Sequence, residues 1–80
     1  MNTTEAVAKR IIQLCDEKGF SVNGISVWSA VSHSTIHAIF SGKSKNPGIV
    51  TIKKLCDGFG ITLAEFFDTK EFNELEQEIV

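Results

Sequence analysis

Val7, Ile11, Leu14 and Cys15 fall three or four positions apart, the spacing that lines one face of a helix. The pattern predicts a first helix from about Thr4 to Lys18. Asn2 or Thr3 can cap it, and Asn2 stands at capping-box distance from Glu5. Gly19 supplies a left-handed stop, and Phe20 can fold back on the last turn.

The next rhythm is ambiguous. Phe20 to Trp28 alternates apolar residues around Asn23-Gly24, a local hairpin signal. The first arm would be only Phe20 to Val22, and no third strand is visible to support the pair. The same residues read as a short helix capped by Ser21, with Val22, Ile25, Ser26 and Ser29 facing inward. Gly24 weakens that helix by about 1 kcal/mol relative to alanine. The helix is the preferred reading because a turn and a second capped helix come directly after it. Ser29, Ala30 and Val31 make the turn, and Ser32 caps a third helix from His33 to about Ser41. Val31, Ile36, Ile39 and Phe40 anchor it, leaving His33, Ser34, Thr35, His37 and Ala38 for the other faces.

Gly42 ends that helix, and Lys43 to Pro47 forms a polar loop. Ile49, Ile52, Leu55, Cys56 and Phe59 form the stripe of a fourth helix, stopped between Gly58 and Gly60. Thr62 with Glu65 is a capping box for a short fifth helix, Leu63 to Phe67. A last segment, Glu71 to Val80, places Phe72, Leu75 and Ile79 on one face and four glutamates elsewhere. The expected organisation is a five-helix, all-α domain over residues 1–69, followed by an acidic amphipathic tail or short helix over 70–80.

Bulk numbers narrow the class. Eighty residues leave room for one small domain. An apolar fraction of 42% against 22% charged suits a folded globule. No run of apolar residues is long enough to predict a membrane span. The start, MNTTEAVAKR, lacks a cationic stretch followed by an apolar one, so no signal peptide is expected and the cytoplasm is the expected location. Cys15 and Cys56 each fall on an apolar stripe and read as buried free thiols, with a disulfide the minor alternative.

A net charge of -2 argues at first against a polyanion partner. Its distribution reverses that. No acid occurs between Glu17 and Asp57, whereas Lys18, Lys43, Lys45, Lys53 and Lys54 lie within that span. Glu71, Glu74, Glu76 and Glu78 crowd the last ten residues with no base among them. The tail is expected to carry the acid away from a locally positive stretch, and local field steers a polyanion.

Several of these residues stand together in a known order. They are Ser21-Val22 and Ile25, then Val31-Ser32, Ser34-Thr35-Ile36 and Ile39. Gly42-Lys43, Asn46-Pro47, Thr51-Ile52 and Leu55 come after them, then Phe59-Gly60-Ile61-Thr62-Leu63 and Phe66-Phe67. From Ile11 to Phe67 the chain resembles the lambda-repressor-like, Cro-type helix-turn-helix domain, also called the xenobiotic-response-element family. Ala30 stands where glycine is common, Ser26 where a small alanine is usual, and no arginine or glutamine lies on the third helix.

The resemblance implies a compact five-helix fold that enters the DNA major groove with its third helix. It makes His33, Ser34, Thr35, His37 and Ala38 the candidates for base contact. Hydroxyls can donate to or accept from several bases, and the Thr35 or Ala38 methyl can touch a thymine methyl. Ser21, Ser32, Lys43 and Lys45 are the candidates for phosphate contact.

Blander readings exist for each. Ser21 and Ser32 also read as helix caps alone, Lys43 and Lys45 as a solvated loop, and His33 as a surface residue. Trp28 reads as either core or partner-facing. His33 and His37 have the spacing of a helical metal pair, but no third ligand is near, so no metal and no cofactor is expected. No paired carboxylate, activated nucleophile or phosphate-cradling loop suggests an enzyme.

The expected function is sequence-specific regulation of transcription, as a repressor of bacterial, phage or mobile-element origin. The expected partners are double-stranded DNA and a second copy through the C-terminal region, with no membrane and no small-molecule ligand. The alternative is a protein-interaction module, antitoxin-like or regulator-binding, that uses the tail or Trp28.

Overall fold

A computed structural model describes residues 1–79, and every regular element among them is helical. The order is α1 Thr3–Lys18, α2 Val22–Ser29, α3 His33–Phe40, α4 Ile49–Phe59, α5 Leu63–Phe67 and α6 Lys70–Asn73.

Local chemistry sets the helix starts. The Asn2 side chain accepts from the Glu5 N–H at 2.8 Å, and the Glu5 carboxylate accepts from the Asn2 N–H at 3.1 Å. This closes the capping box that opens α1. Thr62 and Glu65 do the same for α5, at 3.0 Å in both directions. The Thr62 N–H and the Thr62 hydroxyl, both facing the Glu65 carboxyl, hold it below its ordinary range. Its contribution to stability is present above the unfolded carboxylate range and is lost as pH falls through the lowered value.

The hairpin alternative is excluded. Ser21 Oγ accepts from the Gly24 N–H at 2.9 Å, so Asn23-Gly24 lies inside the first turn of α2 rather than at a strand reversal. A side-chain cap available at once outweighs a turn whose strands would have no third partner.

The core collects one stripe from each of α1 to α5. Ile11, Ile25, Ile36, Leu55, Cys56 and Phe66 are completely buried in it. Cys15 and Cys56 are free thiols in that core. Burial pushes both above the ordinary cysteine range; Asp16 adds to the effect at Cys15 and Asp57 at Cys56. Neutral, enclosed thiols make packing groups rather than nucleophiles.

α2 packs tightly on α4, and Gly58 permits it. A Cβ at position 58 would sit 3.0 Å from Ser29 Cβ, 3.1 Å from Ser29 Cα and 3.1 Å from Ile25 Cδ1. Gly58→Ala therefore sets two effects against each other. Alanine gains about 1 kcal/mol of helix propensity. Overpacking against a backbone atom that cannot rotate aside costs roughly 1–3 kcal/mol. The expected net is a loss of about 1 kcal/mol, read from the denaturation midpoint. A stabilised variant would show that α2 and α4 can slide apart freely.

Arg10 links α1 to α5. Its Nε donates to the Phe66 carbonyl at 2.7 Å and its Nη2 to the Glu65 carbonyl at 2.8 Å. These satisfy carbonyls at the end of α5 that have no partner within the helix.

The C-terminal segment is a short helix followed by a tail. Its helix is a single turn, Lys70–Asn73, and of the Phe72, Leu75 and Ile79 stripe only Phe72 packs against the core. Ile79 is 86% exposed, and Val80 lies outside the described residues. Glu74 and Glu78 would face each other one turn apart in a longer helix, and like charges at that spacing destabilise it.

The tail's charge stays against the domain. Glu71 pairs with Lys9 at 3.7 Å, and Glu78 accepts from Thr3 Oγ1 at 2.7 Å. The acidic end therefore lies along α1.

Candidate nucleic-acid interface

The candidate surface begins at the turn between α2 and α3. Ala30 has φ 58°, the single positive-φ residue other than glycine among the described residues. This is the position where glycine is common in the resembling family, and the backbone keeps the left-handed conformation without it. Val31 is next, buried, and plugs the turn into the core.

Ser32 then starts α3. Its Oγ accepts from the Thr35 N–H at 3.2 Å and lies 2.7 Å from Thr35 Oγ1 and 3.2 Å from Ser34 Oγ. The capping role of Ser32 is thus present, and so is that of Ser21 on α2. Three hydroxyls cluster where α3 begins.

Periodicity divides α3 cleanly. Ile36 and Ile39 are buried, while His33, Ser34, Thr35 and His37 are exposed and Ala38 is half-buried. The His33 and His37 rings lie side by side, centroids 4.3 Å apart and tilted by 55°. Among the described residues, no three histidine, cysteine or acidic side chains come together as a metal site. The exposed edge offers hydroxyls, imidazoles and methyls and carries no carboxylate.

The loop from Ser41 to Gly48 runs from α3 to α4. The Ser44 N–H donates to the Ala38 carbonyl at 2.9 Å, and Thr4 Oγ1 donates to the Lys45 carbonyl at 3.1 Å. These bonds hold the loop against α3 and α1. Lys43 and Lys45 project from it, exposed and in no ion pair among the described residues. Lys53 differs, because it is paired with Asp57 one turn along α4. The sequence counted Lys53 toward the positive stretch; its i,i+4 spacing to Asp57 was the signal that stretch left unread. Glu78 shares two surface grooves with Lys45, so the acidic end reaches the flank of the lysine loop.

Trp28 is a surface residue rather than a core one. It is 72% exposed, beside Val27 at 82%, on the outer side of α2.

Two hydroxyls escaped the sequence pattern. Ser26 Oγ donates to the Val31 carbonyl at 2.7 Å, and Ser29 Oγ accepts from the Val31 N–H at 3.2 Å. Their inward placement on α2 was the only available signal; the target lies across the turn.

A short helix, a three-residue turn and a second helix with a polar outer edge define a helix-turn-helix domain. The chain belongs to the family of Cro/C1-type helix-turn-helix DNA-binding domains, whose pattern matches residues 10–71. It is similar to the HTH-type transcriptional regulator PuuR of Escherichia coli (strain K12), 31% identical over 75 residues. That match covers 94% of this chain and 40% of PuuR. Similarity extends to the HTH-type transcriptional regulator SlrR of Bacillus subtilis (strain 168), 37% identical over 62 residues, covering 76% of this chain and 41% of SlrR. This chain therefore spans about 40% of the length of these two regulators. Among solved structures, prophage Lp1 protein 11 superimposes with a TM-score of 0.82 at 34% identity, covering 94% of this chain and all of that one.

Proposed function

We propose that the chain binds double-stranded DNA sequence-specifically and regulates transcription, as a repressor that occupies its operator. One observation carries this reading above the rest. Four outward positions on α3, His33, Ser34, Thr35 and His37, are exposed while Ile36 and Ile39 of the same helix are locked in the core. Such a helix projects a rigid polar edge, which is what a major groove accepts.

In this reading His33, Ser34, Thr35, His37 and Ala38 meet base edges. The capped N-termini at Ser21 and Ser32, with Lys43 and Lys45, hold phosphates on either side. Two copies related by a two-fold axis place their α3 helices about 34 Å apart on one face of the duplex. The C-terminal region, with Ile79 standing out from the domain, supplies the contact between copies. The protein acts by occupancy in the cytoplasm rather than by catalysis.

The test is titration with DNA duplexes at two salt concentrations. Affinity should fall with a log–log slope of about -0.9 for each phosphate contacted. Absence of binding at low salt would overturn the reading. Exposed Val27 and Trp28 favour one second reading, a protein partner on the outer side of α2. Full DNA affinity in a Trp28→Ser variant would leave that surface to such a partner.

A further inference from the structure

We propose that Ser26 and Ser29 are positioning residues for DNA reading: their hydroxyls fix the angle at which α3 leaves the domain, and so set how well the protein separates one sequence from another. The inference rests on the DNA-binding function proposed for this chain.

Serine inside a helix usually spends its hydroxyl on the carbonyl one turn back. Ser26 does otherwise. It reaches forward five residues, out of α2, to the Val31 carbonyl at 2.7 Å. Ser29 takes the other half of the same residue, accepting from the Val31 N–H at 3.2 Å. Both polar groups of Val31 are therefore held by α2, and Val31 is the residue before the Ser32 cap of α3. Neither hydroxyl caps a helix start, since Ser21 and Ser32 do that.

Ser29 is in turn fixed from outside α2. It is the single buried polar residue among those described, and it packs where Gly58 leaves no room for a Cβ. The order of support runs from α4 through Ser29 to Val31 and on to the reading edge. The turn needs such support. Ala30 holds a left-handed backbone that alanine resists, so the turn does not keep this shape on its own preference.

The reading side chains make the angle matter. Serine, threonine and alanine are short and cannot stretch to follow a base if α3 tilts. A recognition group must be held to within about 0.5 Å of its productive place. Long arginine side chains would tolerate a looser turn; α3 has none.

The experiment compares two duplexes of equal length. One is enriched from a randomised library by the wild-type protein; the other is of mixed sequence. Ser26→Ala is expected to lower the ratio of the two affinities about fivefold, the worth of one hydrogen bond. The salt slope should stay unchanged, because Lys43 and Lys45 are untouched. Ser26→Thr and Ser26→Val have the same shape and differ in the hydroxyl, so they carry the comparison should Ser26→Ala fail to fold. Threonine should keep the ratio and valine should lose it.

An unchanged ratio in Ser26→Ala, even with a lower melting temperature, would reduce the pair to ordinary structural residues and overturn the proposal. So would equal ratios for threonine and valine. Wild-type protein that enriches no duplex would instead overturn the DNA reading itself, before any substitution is made.

Discussion

Alanine at both Lys43 and Lys45 should weaken binding to every duplex roughly fifty-fold per chain at 0.1 M salt, with little change in preferred sequence. Each lysine that neutralises a phosphate releases counterion worth about 0.9 of a log unit per tenfold of salt. Two contacts therefore remove close to two decades at that ionic strength. The log–log slope should become shallower by about 1.8 per chain, measured by titration across a salt series. The two side chains are exposed, unpaired among the described residues, and carried on a loop anchored to α1 and α3. Their removal should leave the fold intact. A changed sequence preference would instead place one of them on a base edge.

Phe66→Ala should cost about 3–5 kcal/mol of stability. A domain of this size has only roughly 5–10 kcal/mol in total, so the loss takes a large share. Phe66 is completely buried, and its ring meets Phe67 at 4.9 Å in an edge-on arrangement and Phe72 at 6.0 Å. Truncation would open a cavity where α5, α6 and the core meet, and would loosen the carbonyl that Arg10 holds. The melting temperature should fall by roughly 20 °C by circular dichroism. Phe67→Ala, at a half-buried position, should lose distinctly less. Equal losses would mean that the two rings share one site and repack together.

Much of the fold was legible in the chain. The stripes on α1, α3 and α4 and the two capping boxes needed only spacing, because burial of one helical face and a side-chain cap are local rules. Ser32 as the start of α3 was legible for the same reason. The tail was legible only as a choice between a short helix and an irregular segment; glutamates at Glu74 and Glu78 with no base beside them leave one turn, Lys70–Asn73. Trp28 was also undecidable from spacing, since one turn of α2 faces both core and solvent.

Periodicity and capping act within a few residues. They were enough to dictate the helical class, the element order and which side chains can stand on the outer edge of α3. Contacts across the chain had to wait for the folded structure. It placed the Ser26 and Ser29 hydroxyls on either side of Val31, Arg10 on the end of α5, and Glu78 beside the lysine loop. These contacts join residues from different elements, or across a turn, and their partners depend on how helices cross. Gly58 shows the reason most directly. In the sequence it reads as part of a helix stop, and it becomes a packing requirement inside α4 only once α2 and α4 meet at van der Waals distance.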